Sequence, residues 1–517
     1  MTARLTALVC AIVIAFLYFW HIGTAPIYLY HDEVMFAVQS HAIAMTLQDV
    51  SGTFLPLYIH MPNSYWCSPE HIYLSALLFR FVPVSDAVIR IPTVAAGLLS
   101  VVLTYFVGRA FFRSSAWGIA AAVMMALTPA LFLASRYKVE SHFPLPFVLA
   151  WMLCLLRSDE SRRRAWMIAA PAMLGLGIYS YHASPAMMSL YALFTVALVW
   201  IDTRRVGPAA IVALVFACFL LPYVVFLLRH PEYLRDEVAT YQMAEPGATS
   251  VLRSFAHLAN WTAVKTRIAV YFDYFSPSSL FFSGGSSLLD TTRHVGVLLL
   301  PLAVLLPVGI GRLIARRDRM STLMLFGLLT APVAAVIVGE AGATRRILFF
   351  LPFVAIAATT GLRSLIESRV PLRRLIGAAL LVGLPLQFAS FYRDYMGDYR
   401  TRSAYWFEYN IQGALASAVE AAAHADQATT IAIDGHLPMI EWHWRYCLIK
   451  HGRMDLRART HYFVPPTMTR ADFPAGTIVV ANADAREKLS KLPITLSEIS
   501  HTREPDGATS YYVLASR

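Results

Sequence analysis

The sequence predicts a polytopic α-helical membrane protein with a small α/β domain at its C-terminal end. Of its 517 residues, 57% are hydrophobic and only 15% are charged, and the mean hydropathy is +0.54. Soluble domains contain about 25% charged residues, so the composition alone indicates a membrane protein. Apolar stretches also recur along most of the chain, and about 20 such residues cross the hydrocarbon core of a bilayer.

These stretches predict about eleven transmembrane helices. They cover residues 4–20, 88–110, 114–134, 142–157, 165–181, 183–201, 207–228, 294–313, 321–339, 346–364 and 372–391. The first is interpreted as an uncleaved anchor, because no A-x-A cleavage site follows it. Residues 70–83 are too short and too interrupted to span, and they predict an amphipathic helix at the membrane surface.

The distribution of arginine predicts which side of the membrane each loop faces. With the N-terminus in the cytoplasm, the segments 108–113, 157–164, 202–205, 312–319 and 363–374 are cytoplasmic, and all are rich in arginine. The first outside loop has no Lys or Arg between residues 21 and 69. This is the positive-inside pattern, and it accounts for the net charge of +11 without a nucleic-acid partner.

Two domains follow from this arrangement. Residues 1–392 are predicted to form the transmembrane domain, with outside loops at 21–87 and 229–293. Residues 393–517 are predicted to form a soluble extracytoplasmic α/β domain. In that segment a helical stretch over 410–425 precedes apolar, β-rich runs at 429–433, 476–481 and 510–515.

Neither cysteine nor histidine spacing predicts a metal site. The five cysteines show no paired spacing, and an odd number cannot pair completely in disulfides. His436, Glu441 and His443 lie close in sequence, but their spacing matches no zinc pattern, so they are interpreted as ordinary polar residues. No cofactor is predicted, and weak binding of a divalent metal by Asp32 and Glu33 is left open.

Asp32 and Glu33 are the first candidates for catalysis, because they stand just outside the first span in a loop free of basic residues. A loop on the outside of the membrane needs some charged residues, and the positive-inside rule favours acidic ones. The presence of this pair can therefore be explained without a catalytic role. Aspartate is nevertheless a competent general base when its geometry is favourable.

A second candidate is the short outside turn 134–147, which contains Arg136, Lys138, Glu140 and His142. Lys and Arg often reach from a helix end to the membrane surface. These cations, however, lie on the side where basic residues are otherwise sparse, which favours the binding of an anion.

Arg345 and Arg346 form a third candidate, because they begin the span 346–364 from the outside. Cations there oppose both the positive-inside pattern and the positive end of the helix dipole. A compensating anion explains them, and the planar guanidinium suits phosphate. The aromatic segment 265–287 adds Arg267 and Tyr271 as candidate substrate contacts.

The chain resembles the GT-C glycosyltransferases of the protein O-mannosyltransferase type, including the bacterial lipid A aminoarabinose transferases. The resemblance rests on "HDEVMFAVQSHAIA", "VIRIPTVAAGLLSVVLTYFVGRAFF", "YFDYFSPSSLFFSGG" and "TRRILFFLPFVAIAATTGL", in that order, and covers roughly residues 1–392.

The resemblance implies inverting transfer of a sugar from a polyprenyl-phosphate donor to a lipid, glycan or protein acceptor. It also implies a bacterial inner membrane protein that acts on the periplasmic face. Asp32 is then the general base with Glu33 beside it, and Arg345 or Arg346 holds the donor phosphate. Glu140 falls where some relatives have an acidic residue in the second outside loop, and Glu140 and His142 are candidate substrate contacts.

One departure concerns the Glu-Lys-Pro-Pro-like stretch of aminoarabinose transferases. Here "YWCSPEHIY" (65–73) keeps Pro69 but has no lysine, and Glu70 follows the proline as a candidate substrate contact. Arg136 or Lys138 would then supply the missing phosphate contact. Two further interpretations stay open: a membrane lipid or sugar transporter, and a non-catalytic sensor whose C-terminal domain binds a ligand.

Overall fold

The computed structural model describes residues 2–61, 65–161, 164–240, 260–425 and 429–517, and most of these residues are helical. Contacts divide the chain into two compact units. The first comprises Met1–Trp20, Pro56–His71 and Pro92–Arg393, and the second comprises His21–Leu55, Ile72–Ile91 and Asp394–Arg517. Two stretches of the first predicted outside loop therefore belong to the same unit as the C-terminal residues.

The first unit is built from helices, most of which are apolar. These are Thr2–Phe19, Ser115–Ala126, Pro129–Arg136, Pro144–Ser161, Arg164–Gly177, Ser184–Thr203, Val206–Arg229, Pro231–Thr240, Trp261–Asp273, Leu302–Arg316, Arg319–Thr330, Val333–Val338 and Leu351–Ile366, with a 3₁₀ segment at Thr344–Phe350. Three more helices, Pro69–Phe79, Ile91–Phe112 and Pro371–Met396, begin in one unit and end in the other.

Among the described residues, six helices are long and apolar enough to cross a membrane, and a seventh span results if one bent pair is counted as a unit. That pair, Ser115–Ala126 and Pro129–Arg136, is bent by 60°. Pro129 has no N–H to continue the helix ladder, which explains the break inside the predicted span 114–134. The protein is therefore a multi-pass membrane protein, and the count of eleven spans stays a prediction.

The predicted span 294–313 differs from the structure, because its helix begins only at Leu302. The preceding residues form bends and turns, and Leu298 N–H donates to the Leu280 carbonyl at 2.8 Å. Leu300 N–H donates to Gln387 Oε1 at 2.8 Å. Backbone N–H groups need hydrogen-bond partners. Here distant residues supply the acceptors that the preceding turn of a helix would otherwise supply. Residues 241–259 of the long predicted outside loop lie outside the described part of the chain.

The second unit contains a five-stranded sheet. Its order is Thr460–Phe463, Ile431–Asp434, Ile478–Asn482, Thr509–Ser516, Leu496–Arg503, with the first three strands parallel and the other pairs antiparallel. The three predicted strands are the three central ones, which confirms the small α/β domain. The two edge strands escaped prediction, because half of Thr460–Phe463 is polar and Leu496–Arg503 is largely polar.

Helices cover both faces of this sheet. Ile411–Ala423 and Ile440–His451 pack on one face, where Leu415, Trp444 and Val513 are buried in a common core. Ala483–Leu489 contributes Leu489 to the core on the other face. The predicted helix over 410–425 is thus confirmed, with the Asn410 side chain accepting from Gly413 N–H at its start.

The helix His31–Thr46 belongs to this second unit and lies within the first predicted outside loop, 21–87. Val34, Ala37 and Val38 are buried in a cluster with Tyr446 of the helix Ile440–His451. This packing fixes the first turn of the helix, which contains Asp32 and Glu33. Acidic side chains in a first turn interact favourably with the helix dipole.

Candidate functional site

Glu33 is a buried anchor for the chain around it. Its carboxylate forms two hydrogen bonds with Arg90, Nε to Oε1 at 2.8 Å and Nη2 to Oε2 at 2.9 Å, and both side chains have 0% exposure. Arg90 also donates to the carbonyl oxygens of Ile22, Pro26 and Tyr28 at 3.0, 3.1 and 2.7 Å. The Glu33–Arg90 pair therefore holds the loop that precedes the helix His31–Thr46 in a fixed position.

Asp32, by contrast, reaches solvent. Its side chain is 24% exposed, and Oδ1 lies 3.6 Å from His31 Nε2. Two neighbouring acids thus have different surroundings, one enclosed by arginine and backbone and the other open. Because a general base must touch a substrate proton, Asp32 is the better placed of the two for catalysis.

Glu408 connects His31 to the C-terminal part of the same unit. One carboxylate oxygen accepts from His31 Nδ1, and the other lies 2.8 Å from His443 Nε2. The Gln412 amide completes the row by donating to His443 Nδ1 at 2.8 Å. His31, Glu408, His443 and Gln412 therefore form one hydrogen-bonded chain of polar side chains, and Asp32 lies beside its first member.

The electrostatics of Glu408 favour a charged carboxylate. Burial by itself raises the pKa of this carboxyl, but the hydrogen bonds from His31 and His443 outweigh burial and hold the pKa below its usual range. When Nδ1 of neutral His31 donates to this carboxylate, Nε2 keeps a lone pair on the side of Asp32. Asp32 and His31 Nε2 are then two proton acceptors side by side.

A second polar cluster lies in the first unit and is formed by Cys67, His71, Glu140 and His182. Cys67 Sγ is 3.0 Å from His71 Nε2 and 3.7 Å from Glu140 Oε2, and His71 Nε2 is 3.3 Å from Glu140 Oε2. The other oxygen, Oε1, pairs with His182 Nε2. Glu140, a predicted substrate contact, is therefore held on both sides by protein groups.

The protonation states in this cluster have clear causes. Burial raises the pKa of the Glu140 carboxyl, but the charge and hydrogen bond of His182, and then the hydrogen bond of His71, outweigh burial and lower the net pKa. Burial lowers the pKa of His71. The neighbouring Glu70 is half-buried, and burial raises its pKa to about 8. Glu140 is thus ionised and His71 neutral near pH 7.

Arg345 and Arg346 lie in the 3₁₀ segment Thr344–Phe350, and each already has a carboxylate partner in the protein. Arg345 Nε is 3.0 Å from Asp290 Oδ2, and Arg346 Nε pairs with Glu340. The Arg345 side chain is 36% exposed, whereas that of Arg346 is 9% exposed. The anions that compensate these arginines therefore include two carboxylates of the protein itself. Arg345 has the more exposed side chain, so it is the more accessible of the two to a ligand.

The cations of the second predicted outside turn are buried. Arg136 has 0% exposure and donates to the carbonyl oxygens of Tyr18 and Leu17 at 2.7 and 3.4 Å. These carbonyls belong to the last turn of the helix Thr2–Phe19, so Arg136 caps that helix end. Lys138 also has 0% exposure. Their phosphate-binding role stays a prediction, and the contacts of Arg136 support a structural role.

The remaining candidates contact backbone carbonyls. His142 Nε2 donates to Thr93 at 2.9 Å, and Arg267 donates to Ala263 and Ile337 at 3.2 and 3.4 Å. The Tyr271 hydroxyl donates to Leu329 at 2.9 Å. These contacts tie neighbouring segments together, and a substrate role for these side chains stays a prediction.

Sequence reasoning missed several residues of these clusters. Arg90 could have been found, since it is a lone cation at the start of a span on the side poor in basic residues, the same signal that singled out Arg345. Glu408 had no signal, because 377 positions separate it from His31. His443 lies close to Glu441 in the sequence, and that spacing suggests only a metal site, which it does not match.

The fold is that of a multi-pass membrane protein with a small α/β unit, and comparisons with known proteins specify the class further. Residues 67–227 match the family model of dolichyl-phosphate-mannose-protein mannosyltransferase. No curated protein matches the chain by sequence.

Solved structures resemble nearly the whole chain. ArnT from Cupriavidus metallidurans bound to undecaprenyl phosphate has a TM-score of 0.60 at 14% identity, covering 99% of this chain and 97% of that one. The oligosaccharyltransferase of Archaeoglobus fulgidus, tethered to an acceptor peptide, has a TM-score of 0.50 at 13% identity, covering 98% of this chain and 73% of that one.

At these identities the structural likeness establishes the GT-C fold, and the mannosyltransferase match indicates the activity. The resemblance inferred from the sequence is confirmed, and the protein is a membrane glycosyltransferase. A glycosyltransferase is an enzyme, so the comparisons favour the enzymatic interpretation over the transporter and the sensor.

Proposed function

We propose that the protein transfers a sugar from a polyprenyl-phosphate donor, with inversion, to an acceptor hydroxyl at the periplasmic face of the bacterial inner membrane. The observation that carries the proposal is Asp32, a solvent-reaching carboxylate in the first turn of a rigidly packed helix. The structural likeness to an ArnT bound to undecaprenyl phosphate supports a donor of this chemistry. The arginine distribution supports an orientation with the N-terminus in the cytoplasm.

The reaction follows from these assignments. Asp32 accepts the proton of the acceptor hydroxyl while its oxygen forms a bond to the anomeric carbon from the face opposite the phosphate. The bond between that carbon and the phosphate oxygen breaks, and polyprenyl phosphate leaves with the electron pair. Arginine stabilises the negative charge that grows on the phosphate. Phosphate is a good leaving group, so positioning contributes much of the acceleration.

His31 and Glu408 support Asp32 in this role. Glu408 fixes the imidazole of His31 through Nδ1, so that Nε2 stays 3.6 Å from the Asp32 carboxylate. A small movement of either side chain would bring this nitrogen within hydrogen-bond distance of Asp32, so that it could accept the proton that Asp32 takes up. Glu33 is assigned to positioning, since Arg90 holds its carboxylate.

A transfer assay with purified protein tests this function. We expect labelled sugar to move from a synthetic polyprenyl-phosphate sugar to a hydroxyl acceptor in detergent, with inverted anomeric configuration in the product. Accumulation of donor inside vesicles without transfer would support a transporter, and binding alone would support a sensor. Mass spectrometry of envelope lipids and glycans, with and without the protein, identifies the acceptor.

Arg345 is the guanidinium that we assign to the donor phosphate, with Arg346 as the alternative. Arg345→Gln is expected to weaken binding of polyprenyl phosphate about 10- to 100-fold, because a hydrogen bond to a charged group is worth about 1.5–3 kcal/mol. Binding of labelled polyprenyl phosphate to purified protein measures the change.

Arg363→Gln provides the control, because Arg363 is an exposed arginine paired with Glu367 in the last turn of the helix Leu351–Ile366. It should bind the donor like the unsubstituted protein. Arg346→Gln distinguishes the two candidates. If donor affinity is unchanged in both the Arg345 and the Arg346 variants, neither arginine binds the donor phosphate. Other residues must then bind it.

A further inference from the structure

Cys67, His71 and Glu140 bring three side-chain types that bind transition metals to one buried point. Cys67 ends the strand Tyr65–Cys67, and His71 lies in the first turn of the helix Pro69–Phe79. Glu140 comes from the connection between the helices Pro129–Arg136 and Pro144–Ser161. Cys67 and His71 have 0% exposure and Glu140 has 4%. The three ligand atoms lie within 4.8 Å of one another.

The spacing of these atoms suits a tetrahedral metal ion. Zinc binds sulfur at about 2.3 Å and nitrogen or oxygen at about 2.0–2.2 Å, so neighbouring ligand atoms are about 3.3–3.8 Å apart. The three separations in the protein are 3.0, 3.3 and 3.7 Å. An ion at their centre would therefore need only small movements of the side chains.

The surroundings also resemble those of bound metals. Glu140 presents Oε2 to Cys67 and His71, while its Oε1 pairs with His182 Nε2. A partner on the outer oxygen fixes the orientation of a ligating carboxylate. A thiol is a weak hydrogen-bond donor, so hydrogen bonding alone is a weak reason to bury a cysteine between an imidazole and a carboxylate.

We propose that Cys67, His71 and Glu140 bind a Zn²⁺ ion that ties the segment Pro56–His71 to the connection before the helix Pro144–Ser161. The thiol proton is released on binding, so that one thiolate and one carboxylate balance the two charges of the ion. Three protein ligands leave the fourth tetrahedral position to a water molecule. The competing arrangement is a metal-free polar cluster with the buried Lys138 as counter-charge.

Metal analysis of the full-length protein, purified without chelators, tests the proposal. We expect about one zinc per chain, and removal by a chelator should lower the thermal unfolding temperature, which added ZnCl₂ restores. Replacement of zinc by Co²⁺ should give thiolate-to-cobalt charge-transfer absorption. Cys67→Ser should abolish that absorption and weaken zinc binding by at least about 100-fold, the upper range for loss of a mere supporting group.

Cys447→Ser is the matched control, because Cys447 is also a buried free cysteine but stands in the other unit. It should keep the zinc content and the cobalt absorption. Should the unsubstituted protein bind neither zinc nor cobalt after reconstitution, with an unfolding temperature indifferent to both, the cluster is metal-free and the proposal is wrong. These readouts do not depend on glycosyl transfer.

Discussion

Asp32→Asn is expected to lower the turnover of glycosyl transfer by at least about 100-fold, the lower range for loss of a positioned general base. Asparagine keeps the size of the side chain but cannot accept a proton. Because Asp32 makes no part of the Glu33–Arg90 anchor, folding should be unchanged. Transfer rates at saturating donor and acceptor, measured together with donor affinity, test the prediction, and donor affinity should stay within about twofold.

A companion substitution tests how His31 contributes. Glu408→Gln removes the charge that faces His31 and His443 while keeping the shape of the side chain. We expect a smaller loss of turnover than for Asp32→Asn, and a shift of the pH–rate profile, which a purely structural role of Glu408 would not produce. Near-normal turnover by folded Asp32→Asn protein would remove Asp32 from the role of base.

The second large effect concerns stability. Arg90→Met is expected to destabilise the second unit by about 3–5 kcal/mol, because it leaves the carboxylate of Glu33 buried without its partner. It also deprives three carbonyl groups, of Ile22, Pro26 and Tyr28, of their donor. The thermal unfolding temperature and the rate of proteolysis within residues 21–30 measure the effect.

Glu33→Gln is the informative comparison. The amide still offers an oxygen to Arg90, and Arg90 keeps its three carbonyl contacts, so the loss of stability should be clearly smaller than for Arg90→Met. Turnover of the folded fraction then tests the predicted catalytic role of Glu33. Equal destabilisation by the two substitutions would show that the carbonyl contacts of Arg90 contribute little.

Local features of this protein were predictable where their signal was strong. The apolar runs predicted helices at the right places, as for residues 207–228 and the helix Val206–Arg229. The central strands of the sheet were visible because buried strands are short, apolar and β-branched. The polar edge strand Leu496–Arg503 was missed, since an exposed edge carries no such pattern.

Candidate residues were harder to rank. Asp32 and Glu33 look alike in the sequence, yet their exposures are 24% and 0% for the side chains. Arg136 looked like an anion-binding group, and its hydrogen bonds go to a helix end. The charge of a side chain can be read from the sequence, whereas its partner and its exposure depend on the path of the rest of the chain.

By itself, the sequence determined that this protein is a helical membrane protein with a small α/β domain, because hydropathy, arginine distribution and strand pattern are properties of neighbouring residues. Only the tertiary structure decided which polar groups meet: Glu33 with Arg90, His31 with Glu408, and Cys67 with Glu140, pairs separated by 57, 377 and 73 positions. Buried polar groups must be satisfied, but many partners along the chain could satisfy them, and packing selects one.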